Sequence, residues 1–184
     1  MSVQPKARMT VDEFLAWAEH QPGRYELVNG EVYAMSPQRA RHARTKYVIQ
    51  AALERAIRER GLPCRMLPDG MTVRVDRSTA YEPDALVYCG NPLDGEAIEV
   101  SEPVIVVEVL SPSTGNVDTG EKLAGYFRVA SVVHYLVVDP KNHMVIHHRR
   151  GAEDLIETRI VSIGTLDLSP PGLSLSLDEI FADL

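Results

Sequence analysis

Residues 104–110, Val-Ile-Val-Val-Glu-Val-Leu, form an almost unbroken apolar run that contains one carboxylate, Glu108. A run of this kind predicts a strand that is buried on both faces of a sheet. Because an isolated ionised carboxylate is costly in such a place, Glu108 must be paired, protonated or bound to a metal. Taken alone, the segment favours a buried ion pair with an arginine.

The segments that precede this strand predict helices and a hairpin. Thr10-Val-Asp-Glu13 is a capping box that opens a short helix to about His20. Apolar and polar residues then alternate through residues 25–35 around Asn29-Gly30, which is a strong hairpin signal. Residues 39–60 carry apolar side chains at helical spacing and predict the longest helix.

After residue 60 the apolar period is close to two, which is typical of strands. Five segments fit this pattern: MTVRV (71–75), ALVYC (85–89), the run at 104–110, HYLVVD (134–139) and HMVIHH (143–148). A further helix is expected from Asp118, as an acidic cap, to about Val129. The tail at 168–181 predicts an extended Pro-rich segment and a short helix. This order predicts a mixed central sheet flanked by helices, hence an α/β or α+β fold.

Length and composition predict one domain over residues 1–184. The chain is 45% hydrophobic and 24% charged, which is close to the average of globular proteins and argues against wholesale disorder. No apolar run is long enough to cross a bilayer, and the first residues contain no apolar signal core, so we expect a cytoplasmic protein without a membrane partner. Cys64 and Cys89 form no CxxC pair, and we expect both to be small core residues.

Charge is distributed unevenly along the chain. The net charge of −7 argues against a general nucleic-acid-coating protein. Residues 39–60 nevertheless carry seven basic and two acidic side chains, so this segment is +5 and the rest of the chain is −12. A basic helix on an acidic body could steer a phosphate backbone to one face, although a solvated helix face is the commoner explanation of such a segment.

A second carboxylate changes the interpretation of Glu108. Asp84 follows Pro83 at the start of the strand at 85–89, where an aspartate is usually a turn residue. If this strand pairs with the strand at 104–110, both carboxylates could lie on one face near an edge of the sheet. Two such oxygen ligands suit Mg²⁺ or Mn²⁺, which keep several waters and accept phosphate oxygens.

Lys122 is the third candidate. It falls in the first turn of the helix that starts near Asp118, and Tyr126 follows one turn later on the same face. A lysine is unfavourable at the positive end of a helix dipole, which hints that its ammonium group is needed near the end of the strand at 104–110. The alternative is an exposed lysine compensated by Glu121 and Asp118.

Several motifs together resemble the Uma family of restriction-endonuclease-like proteins, within the PD-(D/E)xK nuclease superfamily. The motifs are short, but their order and spacing are specific and cover nearly the whole chain: MTVDEFLAW (9–17), YELVNGEVYAMSP (25–37), EPDALVY (82–88), VVEVLSPST (106–114), DTGEKLAGY (118–126), VVDP (137–140) and PGLSLSLDEIF (171–181). The resemblance implies a restriction-endonuclease-like core.

By this resemblance, Asp84 matches the motif aspartate and Glu108 the acidic residue of the superfamily. The superfamily lysine would fall at Leu110, and in the Uma family it has moved to the position that Lys122 matches. An upstream glutamate is also implied, which Glu26 matches, with Glu31 as the competitor in the same hairpin. The main-chain carbonyl of Val109 is implied as a further metal ligand.

The implied activity is metal-dependent hydrolysis of phosphodiester bonds in nucleic acid, with DNA as the favoured substrate. Asp84 and Glu108, with Glu26, would hold Mg²⁺ or Mn²⁺, and Lys122 would orient water or stabilise developing charge. Basic residues of the helix at 39–60 would contact the nucleic acid, and Arg41, His42 and Lys46 are the candidates. Nucleases of this type commonly cleave both strands as dimers, so a homodimer is also expected.

Three rival functions are compatible with the same residues. One is an inactive nucleic-acid-binding or interaction module of the same fold. Another is a structural protein in which Glu108 and Lys122 form only a buried salt bridge. The third is a transition-metal site built from four histidines, for which surface histidines on an edge hairpin are the better explanation because no zinc motif surrounds them: His134, His143, His147 and His148.

Overall fold

The computed structural model describes residues 8–111 and 118–182. Four α-helices are found in this part of the chain: α1 (Val11–Ala18), α2 (Ala40–Arg60), α3 (Asp118–Tyr126) and α4 (Leu177–Phe181). The first six strands are β1 (Tyr25–Val28), β2 (Glu31–Ala34), β3 (Cys64–Pro68), β4 (Val73–Arg74), β5 (Ala80–Tyr81) and β6 (Ala85–Cys89). The remaining strands are β7 (Pro103–Val109), β8 (His134–Asp139), β9 (Met144–Arg150), β10 (Ile156–Val161), β11 (Thr165–Leu168) and β12 (Leu173–Ser176).

The central sheet is mixed, as the element order predicts. Its six strands lie in the order β10-β9-β8-β7-β6-β3, and β7 pairs with β8 in parallel while every other neighbouring pair is antiparallel. The parallel pair requires a crossover connection, and α3 lies in it. The predicted fold class, a mixed sheet flanked by helices, is confirmed.

Alternation along β7 divides the core into two layers. Ile105, Val107 and Val109 face the apolar cluster that α2 and α4 complete. Val106 belongs to the opposite cluster, which includes Tyr126 of α3. Because side chains alternate along a strand, Glu108 shares the face of Val106 and is directed toward α3.

A smaller sheet lies beside the central one, with strand order β2-β1-β5-β4. Its hairpin turns at Asn29 and Gly30, both with positive φ (51° and 82°), as the sequence predicts. The capping box at Thr10 and Glu13 is present and begins α1, which packs on Leu27 of β1 through Phe14. This packing fixes β1, and therefore Glu26, against the rest of the molecule.

The prediction that both cysteines are core residues is confirmed, since Cys64 is buried and Cys89 packs against the same cluster, but their disulfide was not predicted. Cys64 and Cys89 are directly opposite each other on β3 and β6, and a disulfide joins them. Sequence spacing gave no signal for this bond because the two residues are brought together by strand pairing across a separation of 25 residues. They are therefore cross-linked partners and not free core thiols.

Other differences concern element ends and side chains. The third helix ends at Tyr126, three residues before the predicted Val129, and β3, β5, β10 and β11 were not predicted. The expected cap by the side chain of Asp118 and the loop at 112–117 lie outside the described residues. No helix in residues 8–111 and 118–182 is long and apolar enough to span a membrane.

Candidate active site

Pairing of β6 with β7 brings the two candidate carboxylates together. Ala85 is opposite Val107, so Asp84, one residue before β6, is opposite Glu108. The Asp84 amide donates a hydrogen bond to the Val107 carbonyl oxygen at 2.9 Å, which extends the ladder by one residue. The amide of Val109 donates in turn to Asp84 Oδ2 at 2.7 Å. The register therefore places Asp84 and Glu108 side by side at the end of the strand pair.

Asp84 is held by α2. Lys46 Nζ lies 3.0 Å from Asp84 Oδ1, and His42 Nε2 lies 3.5 Å from Oδ2. Burial tends to raise the pKa of the Asp84 carboxyl, but the hydrogen bond with His42, the charge of Lys46 and the Val109 amide outweigh it and lower the pKa below its ordinary value. Asp84 is therefore an ionised carboxylate, although it is almost fully buried.

Glu108 is held by α3. Its Oε1 accepts hydrogen bonds from Lys122 Nζ at 3.0 Å and from the Tyr126 hydroxyl at 2.7 Å. Burial raises the pKa of Glu108 to about 7; the charge of Lys122 opposes this shift, and the negative charges of Glu26 and Asp84 add to it. Lys122 and Tyr126 lie one turn apart on the same helix face, as the sequence predicts.

Glu26 of β1 completes the environment of the lysine. Lys122 Nζ donates to Glu26 Oε1 at 2.8 Å, and the Glu82 amide donates to the same oxygen at 2.9 Å. Burial alone would lower the pKa of Lys122, but the charges of Glu108 and Glu26 raise it well above its ordinary value. The alternative of an exposed lysine is excluded because Lys122 is buried.

The two glutamates of the hairpin are placed differently. Glu26 lines the same cleft as Asp84 and Glu108. Glu31 lies on β2, where it accepts a hydrogen bond from the Tyr33 hydroxyl at 3.2 Å. Glu26 is therefore the upstream glutamate that contacts Lys122.

These residues line one cleft with a volume of about 740 Å³. Its walls come from β1, β2, the start of α2, the ends of β6 and β7, and α3. The Val109 carbonyl at this position accepts a hydrogen bond from His42 Nε2 at 2.9 Å, and since a carbonyl oxygen cannot donate, Nε2 carries the proton. The cleft thus combines hard oxygen groups with a buried ammonium group.

The three basic candidates of α2 are not equivalent. Arg41 is exposed, as expected for a residue that contacts nucleic acid. His42 is half-buried and lines the cleft. Lys46 is buried, with Nζ 2.6 Å from Asp69 and 3.0 Å from Asp84, so the expectation that it lies on an open basic face is corrected. Lys46 lies three residues before Ile49 and seven before Leu53, on the buried face of α2, so helical spacing is the signal that could have found its burial.

Asp69 is a residue that the sequence interpretation missed. It follows β3 and forms ion pairs with both Lys46 and Arg24. Arg24 also reaches Glu82, which precedes the Pro83-Asp84 motif. Asp69 thereby links α2 to the hairpin at the wall of the cleft, and no local sequence pattern reveals a link of this kind.

Three of the four histidines, His134, His147 and His148, are buried, so the expected surface cluster on an edge hairpin is wrong for them, whereas His143 is exposed at the turn between β8 and β9. His134 and His147 are buried on inner strands, with His134 Nδ1 2.8 Å from His147 Nε2. His134 Nε2 donates to the Pro170 carbonyl oxygen at 2.8 Å, and because its lowered pKa leaves the ring neutral at pH 7, Nδ1 is the accepting nitrogen. Burial lowers the pKa of both to about 4, and for His134 the contact with Pro170 only partly offsets this shift. The pair is a neutral, hydrogen-bonded part of the core.

The oxygen donors of the cleft are of the kind that a divalent cation needs. Within residues 8–111 and 118–182, no three His, Cys, Asp or Glu side chains are clustered as a ready metal site. Two carboxylates, Asp84 and Glu108, and the Val109 carbonyl do line the same cleft. A small set of hard oxygens is what Mg²⁺ uses when it keeps most of its own waters, so these residues fit such an ion.

Comparison with known proteins identifies the family. The sequence model of the Uma2 family, described as "Putative restriction endonuclease", matches residues 11–182. The chain belongs to the Uma2 family. The match spans every element from α1 to α4, including β1, β2, β6, β7, α2 and α3 around the cleft.

Two relatives and one solved structure extend this finding. The uncharacterized protein slr1290 of Synechocystis sp. is 28% identical over 98% of this chain and 95% of its own length. The uncharacterized protein sll1609 of the same organism is 25% identical over 77% and 81%. The crystal structure of a "putative nuclease belonging to DUF820" from Anabaena variabilis superposes with a TM-score of 0.74 at 16% identity, covering 95% of this chain and 98% of that one. At this identity the structural likeness shows a shared fold.

Proposed function

We propose that this Uma2 protein is a divalent-metal-dependent endonuclease that hydrolyses phosphodiester bonds of DNA. The observation that carries the proposal is the convergence of Asp84, Glu108 and Lys122 in one cleft, although they come from three different elements. Family membership and the nuclease-type fold support the reaction class.

Asp84, Glu108 and the Val109 carbonyl are the groups that would hold Mg²⁺ or Mn²⁺ in this proposal. Such an ion lowers the pKa of bound water and neutralises charge on phosphate oxygens. Asp84 is prepared for this role because its surroundings keep it ionised. Glu108, with a pKa of about 7, would give up its proton when a cation approaches.

Lys122 acts as a donor and not as a base. Its raised pKa keeps the ammonium group protonated at neutral pH, so it can stabilise negative charge on the phosphate or orient a water by donating hydrogen bonds. Glu26, whose Oε1 is already bound by Lys122 and by the Glu82 amide, positions this ammonium group in the cleft. We therefore assign Glu26 to Lys122 and no longer to the metal.

DNA would approach over the start of α2. Arg39 lines the cleft and Arg41 is exposed beside it, so both can reach a phosphate backbone. We expect binding to weaken as salt rises and in Arg41→Glu, because contacts with phosphates release counterions. Fluorescence anisotropy with a labelled duplex measures both effects. Binding that is insensitive to salt would remove α2 from the interface.

The experiment that tests the activity is a nuclease assay on supercoiled plasmid, linear duplex and single strands. Mg²⁺ or Mn²⁺ should permit cleavage, and EDTA should abolish it. Asp84→Asn is expected to lose cleavage, whereas Asp178→Asn, at an exposed position in the first turn of α4, should retain it. Circular dichroism of both variants establishes that they are folded.

The assay also separates the rival functions. DNA binding without cleavage by folded protein would favour the inactive binding module of the same fold. The buried Lys122–Glu108 ion pair is the observation that favours a purely structural role for these residues. That alternative predicts that calorimetric titration with Mn²⁺ gives the same result for the unmodified chain and for Asp84→Asn, whereas the nuclease proposal predicts binding that the variant loses.

A further inference from the structure

Strand β10 forms an exposed edge of the central sheet. Among the described strands it pairs only with β9, so its outer row of backbone groups faces away from the sheet. Its side chains are exposed on both faces, although several are large and apolar: Ile160 is 68% exposed, Ile156 39% and the preceding Leu155 67%. An exposed apolar edge of this kind readily pairs with another strand.

The opposite edge of the sheet is protected. Strand β3 packs against α2, its Cys64 lies in the buried cluster with that helix, and Pro68 ends the strand. Proline is a common way of blocking an edge. Strand β10 contains no proline and is exposed from Ile156 to Ile160, so it is the edge that is more open to a partner.

We infer that β10 pairs with β10 of a second copy of this chain, antiparallel about a two-fold axis at Thr158. The strand reads Ile156-Glu-Thr-Arg-Ile160, and this order is complementary to itself when reversed. Glu157 would be opposite Arg159 of the partner subunit, and Ile156 opposite Ile160 of the partner subunit. Opposite charges and aliphatic pairs are favourable when directly opposed across antiparallel strands.

The charges select this register. If the axis moves one residue toward the N-terminus, two copies of Glu157 become opposite each other, and if it moves one residue the other way, two copies of Arg159 do. An axis midway between Thr158 and Arg159 gives no charge pair. Like charges that are directly opposed are unfavourable, so only the axis at Thr158 satisfies both charged side chains of the strand.

Such pairing closes on itself. A two-fold axis uses the same strand on both subunits, so the contact forms a dimer and leaves no further β10 edge exposed. The two six-stranded sheets would become one continuous twelve-stranded sheet. This surface lies on β10, whereas the cleft is built from β1, β2, β6 and β7 with α2 and α3, so the inference is independent of the proposed nuclease activity.

Sedimentation velocity and light scattering on the full chain test the inference. The unmodified protein should have about twice the 20.4 kDa mass of one chain at micromolar concentration. Glu157→Arg and Arg159→Glu should each be monomeric, because each makes both opposed pairs repulsive. An equimolar mixture of the two variants should regain the dimer mass, because every Arg then has a Glu opposite.

The variants are chosen so that folding is preserved. Glu157 and Arg159 side chains are 54% and 72% exposed, and circular dichroism should be unchanged. Ile160→Asp should also give monomer, whereas Ile98→Asp, exposed but outside the central sheet, should remain dimeric. A monomeric unmodified protein, a dimer that survives both charge reversals, or a mixture that stays monomeric would each overturn the inference.

Discussion

Asp84 and Glu108 lie opposite each other at the end of the β6–β7 pair, yet their surroundings shift their pKa values in opposite directions. Asp84 has Lys46, His42 and the Val109 amide around it, and its pKa is lowered. Glu108 is more strongly affected by burial and by its acidic neighbours, and its pKa is raised to about 7 in spite of Lys122.

The difference between these two pKa shifts shows how neighbouring acidic residues come to have different charge states. Each lysine is shared between two carboxylates, Lys46 between Asp69 and Asp84 and Lys122 between Glu108 and Glu26. Asp84 also has His42 and the Val109 amide, which lower its pKa, whereas the negative charges of Glu26 and Asp84 add to the effect of burial on Glu108. The helix on each side of the sheet therefore determines the charge of the carboxylate that it contacts.

The largest contrast should be between the two lysines. Lys122→Met should lower the rate of DNA cleavage by about a hundredfold to a thousandfold, because a positioned donor in the cleft is lost. Lys46→Met should have a smaller effect, since the described cleft lining includes Lys122 but not Lys46. Single-turnover cleavage rates of folded variants measure the difference. Equal losses would place the essential ammonium group on α2.

The stability of Glu108→Gln should depend on pH. Below its ordinary pKa of 4.5 Glu108 is protonated in both states, and between 4.5 and about 7 only the folded state keeps the proton. The stability that protonated Glu108 contributes is therefore lost as pH rises through about 7. The shift in pKa from 4.5 to about 7 corresponds to a free energy of unfolding of about 3 kcal/mol. Urea unfolding in EDTA should show Glu108→Gln more stable than the unmodified chain at about pH 8, by up to this amount. No gain at that pH would contradict the raised pKa.

Asp84→Asn should behave in the opposite way. Because the folded-state pKa lies below the ordinary 3.8, the charge of Asp84 contributes stability at neutral pH, and this is lost as pH falls through the folded-state pKa. We expect Asp84→Asn to lose about 2 kcal/mol of unfolding free energy at neutral pH. This is less than for a fully broken buried ion pair, because Lys46 still forms its ion pair with Asp69. The same unfolding experiment measures it. If Asp84→Asn were as stable as the unmodified chain at neutral pH, the contrast between the lowered pKa of Asp84 and the raised pKa of Glu108 would be contradicted.

The smallest effect concerns the tyrosine beside Glu108. Tyr126→Phe removes the hydroxyl that donates to Glu108 Oε1 and should cost about 1 kcal/mol of unfolding free energy. Tyr81, whose ring packs against Tyr126, is the matched control, since its buried hydroxyl has no hydrogen-bond partner among the described residues. Tyr81→Phe should cost nothing. Equal costs would show that ring packing, and not the hydrogen bond, holds Tyr126.

The sequence alone predicted the local elements well. The capping box at Thr10, the Asn29-Gly30 hairpin, α2 and the central strand β7 all depend on contacts within a few residues, so periodicity and turn chemistry are sufficient to find them. It missed β3 and β10, where apolar alternation is weak. The three candidates Asp84, Glu108 and Lys122 stood out because each is unusual in its own local setting.

Tertiary structure decided the long-range pairings. The register of β6 on β7 put Asp84 beside Glu108, and the packing of β1 chose Glu26 over Glu31 as the partner of Lys122. It also paired the buried Lys46, which the sequence analysis had assigned to nucleic-acid contact, with Asp84, and it joined Cys64 to Cys89. Local sequence carries the preference for an element, whereas partners and charge states depend on residues that folding brings close from distant parts of the chain.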